Sequence, residues 1–502
     1  MKLRVLQTLF PDHVGTTGLE DRELILYGAG DVGRHLLGSL LPHGIKPSFF
    51  AVSDEGLDGT VLNGLPVMGL SRLVASHRDA LLVVASYAHH DDILDGLVSA
   101  GFPRANLSPW RAPEFHGTRY SLIPEAEPVL CPGEGGDDTP VVMTRDCLYP
   151  WNHLIVNASG DVFPCFSLSD RYFGNLRAGI RACDGEVGRA VEKILAGEAF
   201  RTLKQGLLTG RLCSMCQDCR GSIPTAMIPA AVLREKVERY LGLPGEENAL
   251  GGSVIRTLVV GPTRRCNLKC IYCVASSENL PAGSLQADLP PAELLELVRA
   301  LCQRGLEVLK LWWDGEFTLY PGWPTIVQTL KQEFPGLELW LTSNFSRPFN
   351  EAELHALGQF SHIDISCDTL DPELYAWLRR GGRLGVLLDN IERLQARCSG
   401  AGPSLVLHGV LTDRVINHLD AMAGYCIERG LDLEFDNYQP IPGTLASSGS
   451  LLRSLGELEP EEKAAAVVKL EAVAQRMRSN GRGCRFLGDV LERLRPSAGV
   501  RG

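Results

Sequence analysis

Hydrophobic and polar positions alternate along the second half of the chain in a pattern that predicts six strands: Ile255 to Val260, Val308 to Trp313, Leu337 to Thr342, His362 to Cys367, Ser404 to Val410 and Asp432 to Tyr438. Segments of helical spacing separate them, and this βα rhythm predicts parallel strands with helices outside. Sorting by the two-residue strand period puts Lys310, Trp312, Trp340, Asn344, Asp364, Ser366, His408, Glu434, Asp436 and Tyr438 on one face. Leu309, Leu311, Leu339, Leu341, Ile363, Ile365, Leu407 and Phe435 fall on the other. The polar set is expected to line the lumen of a barrel and the apolar set to pack under the helices. In barrels of parallel strands chemistry sits at the carboxyl ends of the strands; on the polar face Lys310, His408 and Asp436 are the candidate catalytic side chains. Cys367 falls on the apolar face and Cys302, Cys398 and Cys426 in helical stretches, so all four read as core thiols.

The first hundred residues carry a second βα pattern. A buried strand over 23–30 runs into Gly28-Ala-Gly30-Asp-Val-Gly33, then a helical stretch over 31–41 and a strand over 47–52 with Asp54 near its end. G-x-G-x-x-G lets a backbone approach a phosphate at a helix N-terminus, with the acid placed for a ribose. The same glycines also serve plain helix-to-sheet packing, so a bound nucleotide and a purely structural turn are both open. A strand over 80–86 and a helix over 91–100 extend this doubly wound pattern, giving a Rossmann-like domain over residues 1–130.

The acidic, Gly- and Pro-rich stretch 131–140 reads as a linker. Four further segments follow: a Cys-rich module over 140–225, a linker helix over 226–253, the barrel over 254–442, and C-terminal loop and helices over 443–502, with 444–456 as a loop or lid.

With 45% apolar and 22% charged residues and a net charge of −11, the composition is globular and offers no clustered positive surface, so nucleic acid is not an expected partner. No segment reads as a signal peptide or a membrane span. Fifteen cysteines without a secretory signal point to metal ligation in a reducing cytoplasm rather than to disulfides.

The tightest cysteine cluster is Cys266-x3-Cys270-x2-Cys273, with Tyr272 before its last member. Three thiolates on one short loop suit three irons of a cubane and leave the fourth iron open. Upstream stand Cys147, Gly160-x4-Cys165, Gly174-Asn175 and Cys213-x2-Cys216-x2-Cys219. A four-iron cluster needs four of these five thiols, leaving Cys213 or Cys219 spare; a zinc ribbon would use the same donors.

The Cys266 motif, with the βα pattern around it, resembles the radical S-adenosylmethionine (SAM) superfamily, and the upstream set resembles the SPASM or twitch modules that accompany many such enzymes. The module normally follows the radical SAM domain; here it precedes it. The resemblance implies a partial (β/α)6 barrel, a 4Fe-4S cluster whose open iron chelates SAM, and one auxiliary 4Fe-4S cluster. It also implies that Trp313-Asp314-Gly315-Glu316 stands where the family has Gly-Gly-Glu beside the SAM amino group, that Ser366 faces the SAM ribose with Asp368 beside it, and that Asn344 and Tyr272 lie at the cofactor. Asp314 departs from the family's glycine, which alone takes positive φ freely.

On that resemblance a flavodoxin or ferredoxin delivers one electron, SAM is cleaved to methionine and a 5′-deoxyadenosyl radical, and a hydrogen is taken from a substrate C–H bond. The polar lumen and the Rossmann-like domain favour a polar, sugar- or nucleotide-linked small molecule, with a peptide substrate as the alternative. An iron-sulfur redox sensor is a third reading, which would not need the Asp314-Gly315-Glu316 and Ser366 elements.

Overall fold

The computed structural model describes residues 22–28, 36–37, 40, 45–53, 55–62, 65–84, 90–109, 128–131, 140–168, 173–217, 219, 225–273, 288–313, 315–398, 402–439, 444–448, 451–486 and 494. Of the positions singled out in the sequence, Gly30, Gly33, Asp54 and Asp314 lie outside them.

The first sheet contains β1 (Leu24–Tyr27), β2 (Phe49–Val52), β3 (Val61–Leu62), β4 (Leu65–Gly69), β5 (Leu81–Val84) and β6 (Leu107–Pro109) in the order β3-β4-β2-β1-β5-β6. All pairings are parallel except β3 with β4. β1, β2 and β5 are buried along their whole length, so they read as continuous apolar runs. The strand order reverses at β1, and the Gly28 N–H after it donates to Ala51 O at 2.8 Å.

Three antiparallel strands follow: β7 (Val129–Cys131), β8 (Val141–Arg145) and β11 (Met227–Pro229), in the order β11-β8-β7. Cys131, the first residue of the expected linker, ends β7, and residues 132–139 lie outside the described residues. The expected linker helix is preceded by β11 and runs from Ala230 to Leu241.

The large sheet holds the six anticipated strands as β12 (Thr257–Val260), β14 (Val308–Leu311), β15 (Glu338–Ser343), β16 (His362–Ser366), β18 (Ser404–Leu411) and β19 (Asp432–Asn437), all parallel and in sequence order. Three more strands extend it. β9 (His153–Val156) pairs parallel with β12, β10 (Val162–Phe163) folds back antiparallel on β9, and β20 (Cys484–Phe486) pairs parallel with β19. The Cys-rich segment and the C-terminal segment are therefore sewn into the same sheet as the barrel strands.

Leu309, Leu339, Ile363, Leu407 and Phe435 are each 0% exposed, while their polar neighbours on the other parity are half-buried or line the opposite face. The apolar parity packs against helices such as Trp323–Glu333 and Leu384–Cys398, whose buried Ile326, Val327, Leu330, Leu387, Ile391 and Leu394 form one stripe. Cys367 and Cys426 lie in this core. Among the described residues no helix is long and apolar enough to cross a membrane.

Candidate functional site

The chain leaves β12 at its carboxyl end and enters the loop bearing Cys266, Cys270 and Cys273. Local sequence fixes little of this loop; tertiary contacts hold it. Lys269–Cys270 forms a short strand, β13, paired antiparallel with β17 (Arg379–Arg380), Cys270 opposite Arg379. Ile271 N–H donates to Leu378 O at 3.0 Å, and Ile271 O accepts from Ala446 N–H at 2.9 Å. Arg265 O accepts from Glu316 N–H at 2.8 Å. Asn344 Nδ2 donates to Asn267 Oδ1 at 2.9 Å and stands 3.8 Å from Cys266 Sγ, which also accepts from Leu268 N–H at 3.4 Å. Four remote segments of the chain, at 316, 344, 378–380 and 446, thus converge on residues 265–273.

Burial pushes the Cys266 thiol up to about 11 and Cys270 to about 12; the neighbouring thiols add to the rise, and Arg379 opposes it. Protons must leave for the thiolates to bind iron, and a nearby guanidinium favours that release. Among the described residues no trio of His, Cys, Asp or Glu is set to hold a single metal ion. A cubane takes one thiolate per iron and spreads its ligands further apart, so three neighbouring thiols with a cation beside them fit it.

Gly315 packs against this loop: a Cβ there would lie 2.3 Å from Thr263 O and 3.0 Å from Arg264, so only glycine allows the approach. Glu316 follows it in the chain. Its buried carboxylate accepts from Thr318 N–H at 3.1 Å, Thr318 Oγ1 at 2.8 Å, Ser343 Oγ at 2.8 Å and Asn344 N–H at 2.8 Å. Three of these bonds fall on Oε1 and one on Oε2, and through them the side chain braces the ends of β14 and β15.

Asp368 and Tyr272 meet behind the cluster loop. Asp368 is 0% exposed; it accepts from Arg379 Nε at 2.8 Å and Nη2 at 2.9 Å, from Tyr272 Oη at 2.6 Å and from Val410 N–H at 2.8 Å. The four bonds tie the cluster loop to β16, β17 and β18. Ser366, two residues earlier, is half-buried on the lumen side, level with His408 in the parallel register. Asn344 lies beside Cys266 as described.

Below the loop the polar parity comes together. Lys310 Nζ sits 4.3 Å from the centroid of the Trp340 ring, and that ring is 4.6 Å from His362. His362 Nε2 is 2.9 Å from Asp364 Oδ1. His408 Nε2 stands 3.1 Å from Asp436 Oδ2, within ion-pairing distance although its alignment misses hydrogen-bond geometry. Burial pulls the imidazole down, but Asp436, Asp364 and Glu434 outweigh it and hold His408 above its ordinary value. Burial raises Glu434 and lowers Lys310. His362 shares the parity of Asp364 and follows from extending that pattern by one residue. Arg485, paired with Glu434 at 2.6 Å, has no signal in the sequence, because β20 is three residues long and only its register opposite Glu434 reveals the face it takes.

The upstream thiols gather around the β9–β10 hairpin. Asn157 Oδ1 accepts from Ser159 N–H at 3.0 Å and Asp161 N–H at 2.9 Å, and Gly160 takes φ 84°, a conformation that suits glycine. Asn175 Nδ2 donates to Ser159 O at 3.0 Å and Asp161 Oδ1 at 2.9 Å while its Oδ1 caps the helix Leu176–Arg181. The Gly174-Asn175 pair therefore clasps the turn that carries Cys165. Burial, then neighbouring thiols, pushes Cys147 up to about 11 and Cys165 to about 12; Cys219 is a charge neighbour of both. Cys216 is raised by its hydrogen bond with Cys213, then by burial, with Cys165 and Cys147 nearby. All five thiols share one neighbourhood.

That neighbourhood abuts the mouth of the lumen. Phe166, next to Cys165, stacks on Trp312 and Trp313 at 4.9 and 5.2 Å between centroids, and Phe163 lies 6.2 Å from Trp313. His153 is sandwiched between Tyr149 and Phe166, donates Nδ1–H to Pro164 O at 2.9 Å, and is held by burial at about 4, hence neutral.

Comparison with known proteins agrees with these two thiol sets. Residues 260–422 match the radical SAM superfamily model, and residues 147–220 match an iron-sulfur cluster-binding domain, SPASM. A probable GTP 3′,8-cyclase of Archaeoglobus fulgidus is 31% identical over 28% of this chain and 45% of its own length. GTP 3′,8-cyclase 1 of Pseudomonas aeruginosa is 29% identical over 47% of this chain and 69% of its own. The chain thus spans between about half and two thirds of these relatives. Among solved structures, a radical SAM methyltransferase from Kitasatospora setae, bound to tryptophan and a SAM analog, is 12% identical with a TM-score of 0.34, over 87% of this chain and 76% of that one. The chain carries a radical SAM domain preceded by a SPASM iron-sulfur domain, and the cofactors of these two domains are SAM and 4Fe-4S clusters.

Proposed function

We propose that the enzyme abstracts hydrogen from a C–H bond of a polar small molecule, sugar- or nucleotide-linked, bound in the lumen below the Cys266–Cys273 loop. The observation that carries this reading is the gathering of Lys310, Trp340, His362, Asp364, His408, Glu434 and Asp436 on the one polar face of the sheet. Two rings and a set of mixed donors and acceptors suit hydroxyls and a flat base better than an apolar chain. The relatives named GTP 3′,8-cyclase support a nucleotide, since their names specify one.

When bound, the cluster and SAM supply a carbon radical strong enough for an unactivated C–H bond. Cys266, Cys270 and Cys273 would hold that cluster, Asn344 and the Gly315 backbone the SAM, and Ser366 its ribose. Phe166, Trp312 and Trp313 wall the mouth and keep water from the lumen. His408, ion-paired to Asp436, is placed to hold or give a proton to a substrate oxygen. Cys147, Cys165, Cys216 and Cys219 would hold the auxiliary cluster, with Cys213 as the spare, and a flavodoxin or ferredoxin would serve as electron donor.

The test is anaerobic incubation of the reduced holoenzyme and SAM with nucleotides and sugars deuterated at single carbons. Deuterium in 5′-deoxyadenosine from one position of one compound is the expected result. Label arriving only from peptides would overturn the reading.

A further inference from the structure

A buried ion pair lies behind the cluster loop. Arg379 is 7% exposed and Asp368 0%, and the two are joined by two parallel hydrogen bonds. Arg379 is also the register partner of Cys270, and its guanidinium carbon lies 5.9 Å from the centroid of the Tyr272 ring, so the charge sits against the ligand-bearing strand. Tyr272 Oη donates to the far partner, Asp368, at 2.6 Å.

Desolvating such a pair costs several kcal/mol per ion in general, and apolar residues of the same volume often serve a fold as well or better. Stability alone therefore gives weak reason for a full charge at this place. Charge does matter to what the loop holds. A reduced cluster is one unit more negative than an oxidised one, and in a medium of low dielectric a fixed cation nearby favours the reduced form while a fixed anion opposes it.

We propose that Arg379 and Asp368 are positioning residues that set the reduction potential of the cluster held by Cys266, Cys270 and Cys273, the guanidinium raising it and the carboxylate lowering it. The only redox step involved is uptake of one electron from the external donor, with no bond made or broken by the pair. Tyr272 moderates the carboxylate by sharing its negative charge. The proposal rests on the cluster and is independent of which substrate the lumen takes.

The test is a redox titration of the reconstituted holoenzyme followed by electron paramagnetic resonance, reading the cluster signal that SAM perturbs, with iron content measured alongside. Arg379→Gln should shift that midpoint to a lower potential, Asp368→Asn should shift it higher, and Arg379→Lys, which keeps the charge but loses the two-pronged grip, should stay near the parent value. The auxiliary signal should not move in any variant. If the two charge removals shift the midpoint in the same direction, or neither shifts it, the proposal fails. Should Arg379→Gln lose its iron, the upward shift in Asp368→Asn with a parent-like Arg379→Lys still decides, and its absence overturns the assignment.

Discussion

A single carboxylate shows how one residue can brace the site around it. Glu316 accepts four hydrogen bonds from Thr318, Ser343 and Asn344. Replacing it with Gln would turn an amide N–H2 towards those donors and leave a buried group unsatisfied, at a cost of about 1–3 kcal/mol. We expect Glu316→Gln to lower the melting temperature, measured calorimetrically, and to weaken SAM binding only through the displaced Asn344. His408 offers a second test at this scale. Its value is raised in the folded protein, so its pairing with Asp436 stabilises the fold fully below the unfolded value of about 6.5 and the contribution is lost as pH rises through the raised value. The difference in melting temperature between the parent and His408→Gln should therefore be largest in mild acid and shrink towards alkaline pH. The sequence showed which parity these groups share, because strand period alone sorts faces. It did not show which groups Asp368 and Tyr272 would bond, because those partners come from segments remote along the chain, as Val410 does for Asp368.

At the scale of elements, the attachment of the Cys-rich segment to the barrel rests on β9. The apolar run over 153–156 reads locally as a strand, but its partner is unreadable from sequence, since any of several buried strands could accept it. In the structure it lies along β12, and Ile155, Phe163 and Val259 form a small apolar cluster against Phe166, Trp312 and Trp313. This contact gives the segment's position ahead of the barrel a physical sense: chain order is free as long as β9 reaches the exposed edge of β12. Ile155 is 0% exposed, so Ile155→Ala should cost about 2–5 kcal/mol. Because the cluster lies between Cys165 and the lumen mouth, the same variant should also lose iron from the auxiliary site faster than from the loop at Cys266. Timed iron release to a chelator, compared with the parent, measures this. β20 was hidden for a similar reason, as three residues without alternation acquire meaning only from their register on β19.

For the molecule as a whole, the question is whether two thiol sets act as two cluster sites. Burial raises the thiols of both sets, so both resist ionising until iron arrives, and each set has its own scaffold: β13 with β17 for one, the β9–β10 hairpin clasped by Asn175 for the other. Separate scaffolds mean that emptying one should leave the other able to fill. Two four-iron sites predict about eight irons per chain after anaerobic reconstitution. Cys147→Ala should retain about four, those of the Cys266 loop, and should still release some 5′-deoxyadenosine from SAM in the presence of dithionite, whereas Cys270→Ala should release none while keeping the other four. Cys213→Ser should retain all eight and Cys219→Ser about four, as the proposed ligand set requires. If Cys147→Ala keeps the full complement, the upstream thiols do not hold a cluster. If it loses all eight irons, the two sites depend on each other and the shared sheet, not the separate hairpins, governs assembly.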